Sequence, residues 1–176
     1  MKSARADDDD VPVPLSLEIE LLGRVAAQDT NFAKRAASVV RILIVIKQSD
    51  TISERDGAQA QYLFSDMPTI GGLPHQQSVV TFTSGRELAE MCRTKNISIV
   101  YLMPGLNGDV QSFANALGDM SILTVGSVAA YVREGAVLGF DIVSGKPKLL
   151  LRPDIAERQH VVFRADMLAL MKKVIP

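Results

Sequence analysis

Residues 39–46 read Val39-Val40-Arg41-Ile42-Leu43-Ile44-Val45-Ile46, a nearly continuous β-branched run with no alternation of apolar and polar positions. A strand with one wet face would alternate, so this one is expected to be buried on both faces, as in a parallel sheet covered by helices above and below. That requirement makes it the expected central strand and constrains everything else. The rest of the chain must supply parallel partners, and helices that pack on each side. With 176 residues, 47% of them apolar and 22% charged, one domain can bury such a core.

The spacing predicts those partners. Leu15–Gln28 is expected to be a helix after Pro14, capped by Ser16, with Leu15, Ile19, Leu22, Val25 and Ala26 as its buried stripe and Glu18, Glu20 and Arg24 between them. Helices are expected at Ser53–Phe64, at Ser84–Thr94 with Ser84 and Glu87 in capping-box spacing, and at Asp109–Leu117 with Gly118 as its stop. Strands are expected at Ser78–Thr83, Ile97–Met103 and Ser121–Val125. A helical turn at Val128–Arg133, capped by Ser127, leads to a hairpin of Val137–Ile142 and Lys148–Leu151 joined through Ser144-Gly145-Lys146-Pro147. Asp154–Gln159 and Arg164–Val174 close the chain as helices, the last burying Met167, Leu168, Leu170 and Met171, with Lys172-Lys173 at its dipole-favoured end.

Short connections between alternating strands and helices imply right-handed crossovers. The fold class is therefore α/β, three-layer, with a mostly parallel sheet flanked by helices and a C-terminal antiparallel hairpin at the edge. Residues 1–14, with four consecutive acids at Asp7–Asp10 and then Val-Pro-Val-Pro, read as a disordered arm. Residues 15–176 read as a single domain.

Motifs for chemistry are sparse. A net charge of −1 offers no field for nucleic acid. One cysteine, Cys92, permits neither an internal disulfide nor a thiolate metal site, and it reads as a small half-buried hydrophobe. His75 and His160 stand apart without ligand-spaced neighbours. The Lys47–Ser53 connection has no glycine to admit a phosphate, and no acid cluster follows the strands to hold magnesium. Ser127 lacks the second glycine of a nucleophile elbow. No catalytic, metal or cofactor site is expected. No apolar run reaches the length of a membrane span, so no direct membrane insertion is expected. Ala4-Arg5-Ala6 has the form of a signal-peptidase site without the apolar segment that should precede it, and Asp7 would then lie near the start of an exported protein.

The C-terminal half, with Ile122–Val125, Val128–Arg133, Gly135–Ile142, Lys148–Leu151 and Arg164–Ile175 in this order, resembles the YfiR family of bacterial periplasmic regulators. Asn31-Phe32-Ala33-Lys34 looks like that family's early Asn-Phe-Ala-Lys segment, and Ile97–Met103 matches in place. The resemblance spans about residues 17–175. This chain departs in having no Trp after Asn31–Lys34, Arg152 where Asn is common, and no cysteine pairs, so disulfide-based redox control does not carry over.

The resemblance implies a periplasmic, non-enzymatic protein, commonly a homodimer, that represses an inner-membrane diguanylate cyclase or another membrane sensor by binding it, lowering cyclic di-GMP and biofilm formation. Lys146, Lys148, Arg152, Glu157 and Arg158 are the candidate partner-binding residues, the last three as a polar rim. The alternative is a small-ligand-binding module like one lobe of a periplasmic solute receptor. Its ligand would lie at the carboxyl ends of the strands, near Lys47–Asp50 and Pro104–Asn107. An enzyme is the third possibility.

Overall fold

The computed structural model describes residues 12–176. In chain order they form α1 (Leu15–Ala26), α2 (Phe32–Ala36), β1 (Val40–Ile46), α3 (Thr51–Ser65), β2 (His75–Thr81), α4 (Gly85–Thr94), β3 (Ile99–Leu102), α5 (Asp109–Leu117), β4 (Leu123–Gly126), α6 (Ala130–Glu134), β5 (Leu138–Val143), β6 (Lys146–Leu151), α7 (Pro153–Arg158), α8 (Ala165–Leu170) and β7 (Lys172–Lys173). One seven-stranded sheet has the order β2-β1-β3-β4-β5-β6-β7. Every pair is parallel except β5 with β6. The α/β three-layer class expected from the alternation is what forms.

β1 is buried on both faces as its composition demands. Ile42 and Ile44 join the apolar cluster under α1 and α3, while Leu43 and Val45 join the one under α4 and α5. It is an interior strand, yet it lies one place in from the β2 edge rather than at the centre. A β-branched run reports two covered faces; it does not count the strands on either side.

Several local expectations change. α1 begins at Leu15 after an extended Pro14, and no side chain caps it, because Ser16 already lies inside the first turn. Ser127 does not cap the next helix either. Its hydroxyl and its N–H both donate to the Leu102 carbonyl, at 2.8 and 3.0 Å, and α6 starts three residues later. Ser84 does cap α4, accepting from the Glu87 N–H at 3.2 Å.

The hairpin turn is shorter than the four residues expected. Ser144 and Gly145 alone carry it, with φ of 52° and 73°, the positive pair that a two-residue turn matched to strand twist requires. Lys146 and Pro147 thus enter β6. Pro147 opposes Ile142, one step from the turn-closing pair Val143 and Lys146, so its missing N–H falls at a non-bonded position of the ladder.

The last helix is also cut short. α8 ends at Leu170, Met171 turns extended (φ −87°, ψ 145°) and buries its side chain, and Lys172-Lys173 pairs parallel to Leu150-Leu151 as β7. The unpaired groups of β6 offer the chain hydrogen bonds, including Val174 N–H to the Leu151 carbonyl at 2.8 Å. Leu170, expected in the buried stripe, is 63% exposed. At the other terminus Val13 is buried in the core, so the expected arm is already part of the fold there; its residues 1–11 lie outside the described residues.

Candidate functional site

The five candidate partner-binding residues do not form one patch. Lys146 is exposed at the hairpin tip, and Lys148, half-buried, faces Asp141 across the ladder. Glu157 and Arg158 are exposed on α7 at the opposite end of β6, about 20 Å away by the rise of six strand residues. Arg152 departs from its expected exposed position. It is 8% exposed and donates to the carbonyls of Val132 and Arg133 at 3.2 and 2.8 Å, ending α6, while its Nε meets Asp154 at 2.6 Å. A fork of five donors suits that junction of helix end and carboxylate, which takes the side chain out of the solvent-facing rim.

The carboxyl ends of β1 and β3, where a ligand was expected, are filled by the protein's own groups. Lys47 Nζ reaches Asp109 at 2.7 Å and lies 5.9 Å from the Phe82 ring centroid. Asp50 caps α3 through the Ser53 N–H at 2.9 Å. The Gly105 backbone passes so close that a Cβ there would sit 2.6 Å from the Asp50 carboxylate.

A cleft opens at the other end of the sheet, by the amino ends of β3 and β4. It has a volume of about 560 Å³ and is lined by Asn31, Lys34, Arg93, Asn96, Ser121 and His160, with Arg35, Cys92, Ile97 and Met120 behind them. Arg35 holds its wall together. It donates to Asp29 at 2.5 Å, to the His160 carbonyl at 3.0 Å and to Ser121 Oγ at 3.3 Å. The Arg35 and Asp29 side chains are 2% and 0% exposed, and Asp29 also accepts from the N–H groups of Asn31 and Val162. Thus the Asp29–Arg35 pair, which brackets Asn31–Lys34, is fastened to the loop before α8 by hydrogen bonds to the His160 carbonyl and from the Val162 N–H. Lys34 is exposed and forms no ion pair among the described residues. A smaller cleft of about 390 Å³ borders β2 at Gln76, Gln77 and Ser78.

Cys92 is fully buried rather than half-buried, and burial pushes its thiol up to about 12. Sequence spacing assigned Glu18 to the polar side of α1, but it is 2% exposed and accepts a hydrogen bond from the buried Tyr101 hydroxyl. Burial pushes the Glu18 carboxyl up to about 8 against the opposing effect of that hydrogen bond, and Asp56 adds to the rise. Tyr131 is a second buried phenol. It accepts from the Leu106 N–H at 2.8 Å and donates to the Met103 carbonyl at 3.1 Å, pinning the loop that follows β3. Among the described residues no group of three or more His, Cys, Asp or Glu side chains is placed to hold a metal. No described helix is long and apolar enough to cross a membrane.

The profile of the YfiR/HmsC-like proteins (DUF4154) matches residues 59–172. The chain belongs to this family. The match begins inside α3 and runs to β7, so it holds the whole stretch from β2 to the hairpin and leaves β1 outside.

A comparison with curated proteins finds no match. Among solved structures, a conserved domain protein from Vibrio cholerae shares 14% identity over 95% of this chain and 61% of its own, with a TM-score of 0.60. The ABC domain in complex with L-Trp from Streptococcus pneumonia shares 12% identity over 86% of this chain and 62% of its own, at 0.56. CD0873, a substrate binding protein with adhesive properties from Clostridium difficile, shares 11% over 82% and 57%, at 0.57. The YfiR/HmsC-like chain thus spans about three-fifths of each of these, and the likeness is one of fold.

Proposed function

We propose that this protein is a periplasmic regulator that represses an inner-membrane diguanylate cyclase by binding its periplasmic part, and that it works as a homodimer. Family membership over residues 59–172 carries the reading. The C-terminal segment adds a surface suited to protein contact: Val162, Leu170 and Ile175 are 49%, 63% and 80% exposed, in a stretch that also presents Lys172 and Lys173. Apolar anchors with a charged rim are what a protein partner would need to bury. Lys146 at the hairpin tip, and Glu157 and Arg158 on α7, are two separate further places for contact. The test is co-purification with a neighbouring membrane protein that carries a periplasmic loop and a GGDEF domain. Retention of the protein by that partner, with a rise in cyclic di-GMP when the gene is deleted, supports the repressor; no retention and unchanged cyclic di-GMP refute it.

The 560 Å³ cleft favours a second reading, a small-ligand-binding module whose ligand would sit at the amino ends of the strands. Its polar lining and the exposed Lys34 suit a small anionic molecule. A thermal-shift screen of small carboxylates would show a rise in Tm that Lys34→Ala abolishes.

A further inference from the structure

The two edges of the sheet have opposite chemistry. The far edge is guarded, since β6 presents Lys146, Pro147 and Lys148 beyond the two residues covered by β7, itself Lys172-Lys173. Lysine and proline are the usual protection of an edge against further strands. β2, at the near edge, is seven residues long, reads His75-Gln76-Gln77-Ser78-Val79-Val80-Thr81, and carries no formal charge and no proline.

Its backbone phase is fixed by two hydrogen bonds, Val40 N–H to the Pro74 carbonyl at 2.9 Å and Phe82 N–H to the Ile46 carbonyl at 2.8 Å. In a parallel ladder the residues between them alternate, so Gln76, Ser78 and Val80 bond to β1 while His75, Gln77, Val79 and Thr81 aim their N–H and C=O groups outward. None of those outward groups has a hydrogen-bond partner among the described residues.

We propose that β2 is the homodimer interface, two copies pairing antiparallel about a two-fold axis at Ser78. The proposal rests on the dimeric reading above and names its surface. With Ser78 opposite its own copy, His75 pairs with Thr81 and Gln77 with Val79 of the second chain, and all eight outward groups of each strand are satisfied at once. Gln76 then faces Val80. No register position sets like charges against each other, which favours a second copy of the same strand as the occupant. An isologous contact of this kind closes on itself, because each copy has one such edge and the opposite edge is guarded.

Ser78 is exposed, so it can be changed without opening the core. At a non-bonded antiparallel pair the two Cα atoms lie about 4.5 Å apart, within disulfide reach, and the native Cys92 is buried. Ser78→Cys, oxidised with copper phenanthroline, is expected to give a covalent dimer on non-reducing gels, whereas Lys146→Cys gives none. Ser78→Lys sets two cations face to face and is expected to raise the dimer dissociation constant at least about tenfold in sedimentation equilibrium. A wild-type dimer that Ser78→Cys fails to cross-link and Ser78→Lys fails to weaken overturns this interface and leaves the dimer standing. A wild type that is monomeric at every concentration overturns both.

Discussion

The carboxyl of Glu18 and the hydroxyl of Tyr101, 83 residues apart in sequence, meet inside the apolar layer between α1 and the sheet. Phe64 closes the pair from α3, its ring edge-on to Tyr101 at 5.9 Å. A carboxyl placed there is held neutral by desolvation, with its value raised to about 8.

The sign of the resulting pH dependence follows directly. Unfolded, Glu18 loses its proton near 4.5; folded, it keeps it to about 8. Between those values the unfolded chain binds fewer protons, so stability falls as pH rises, by up to about 1.4 kcal/mol per pH unit, and levels off above. Glu18→Gln removes the titration. Its melting temperature should change less than that of the wild type from pH 5 to 8, and at pH 9 it should be more stable by about 1–3 kcal/mol. Parallel pH profiles for the two proteins would mean that Glu18 is ionised in the folded state.

Arg152→Ala is expected to destabilise the protein by about 1–3 kcal/mol, since it leaves the Val132 and Arg133 carbonyls at the end of α6 without their donor. Arg152→Lys should recover only part of this, because an ammonium cannot span the same fork. Chemical denaturation measures the loss. Partner retention by either variant, assayed below its melting temperature, should match the wild type; a selective loss of binding at full stability would instead restore Arg152 to the contact surface.

Cys92 should be inert while the fold is intact. A rise in its value from 9.0 to about 12 lowers the thiolate fraction at pH 8 about a thousandfold. Ellman's reagent should label it only after guanidinium is added, and rapid labelling of the native protein would contradict its burial.

The family-matched stretch should not fold alone. β1 lies between β2 and β3 and pairs with both over Val40–Ile46 and Ile42–Val45, so a fragment of residues 59–176 would leave β2 without a neighbour and lose half of α3. Circular dichroism of that fragment should show no cooperative melt; a sharp transition would show that β2 can close onto β3 directly.

What the sequence by itself determined is whatever depends on neighbours along the chain. The Val39–Ile46 run required two covered faces, Gly118 stopped α5 at Leu117, Ser84 capped α4, and the strand-helix alternation produced the parallel order. These are effects of local sterics and periodicity, which act whatever the rest of the molecule does. Tertiary structure alone decided the partners. Glu18 occupies a polar place in the local pattern of α1 and is buried only because Tyr101 on β3 supplies a donor. Arg152 reads as a surface cation until the end of α6 is laid beside it. Lys172-Lys173 continues a helical pattern that the open edge of β6 overrides with strand hydrogen bonds. The candidate cleft belongs to the same class, for its wall is the Asp29–Arg35 pair joined to the His160 loop. Such contacts depend on which groups the fold brings within a few ångströms across separations of 19 to 125 residues, and spacing along the chain carries no record of that.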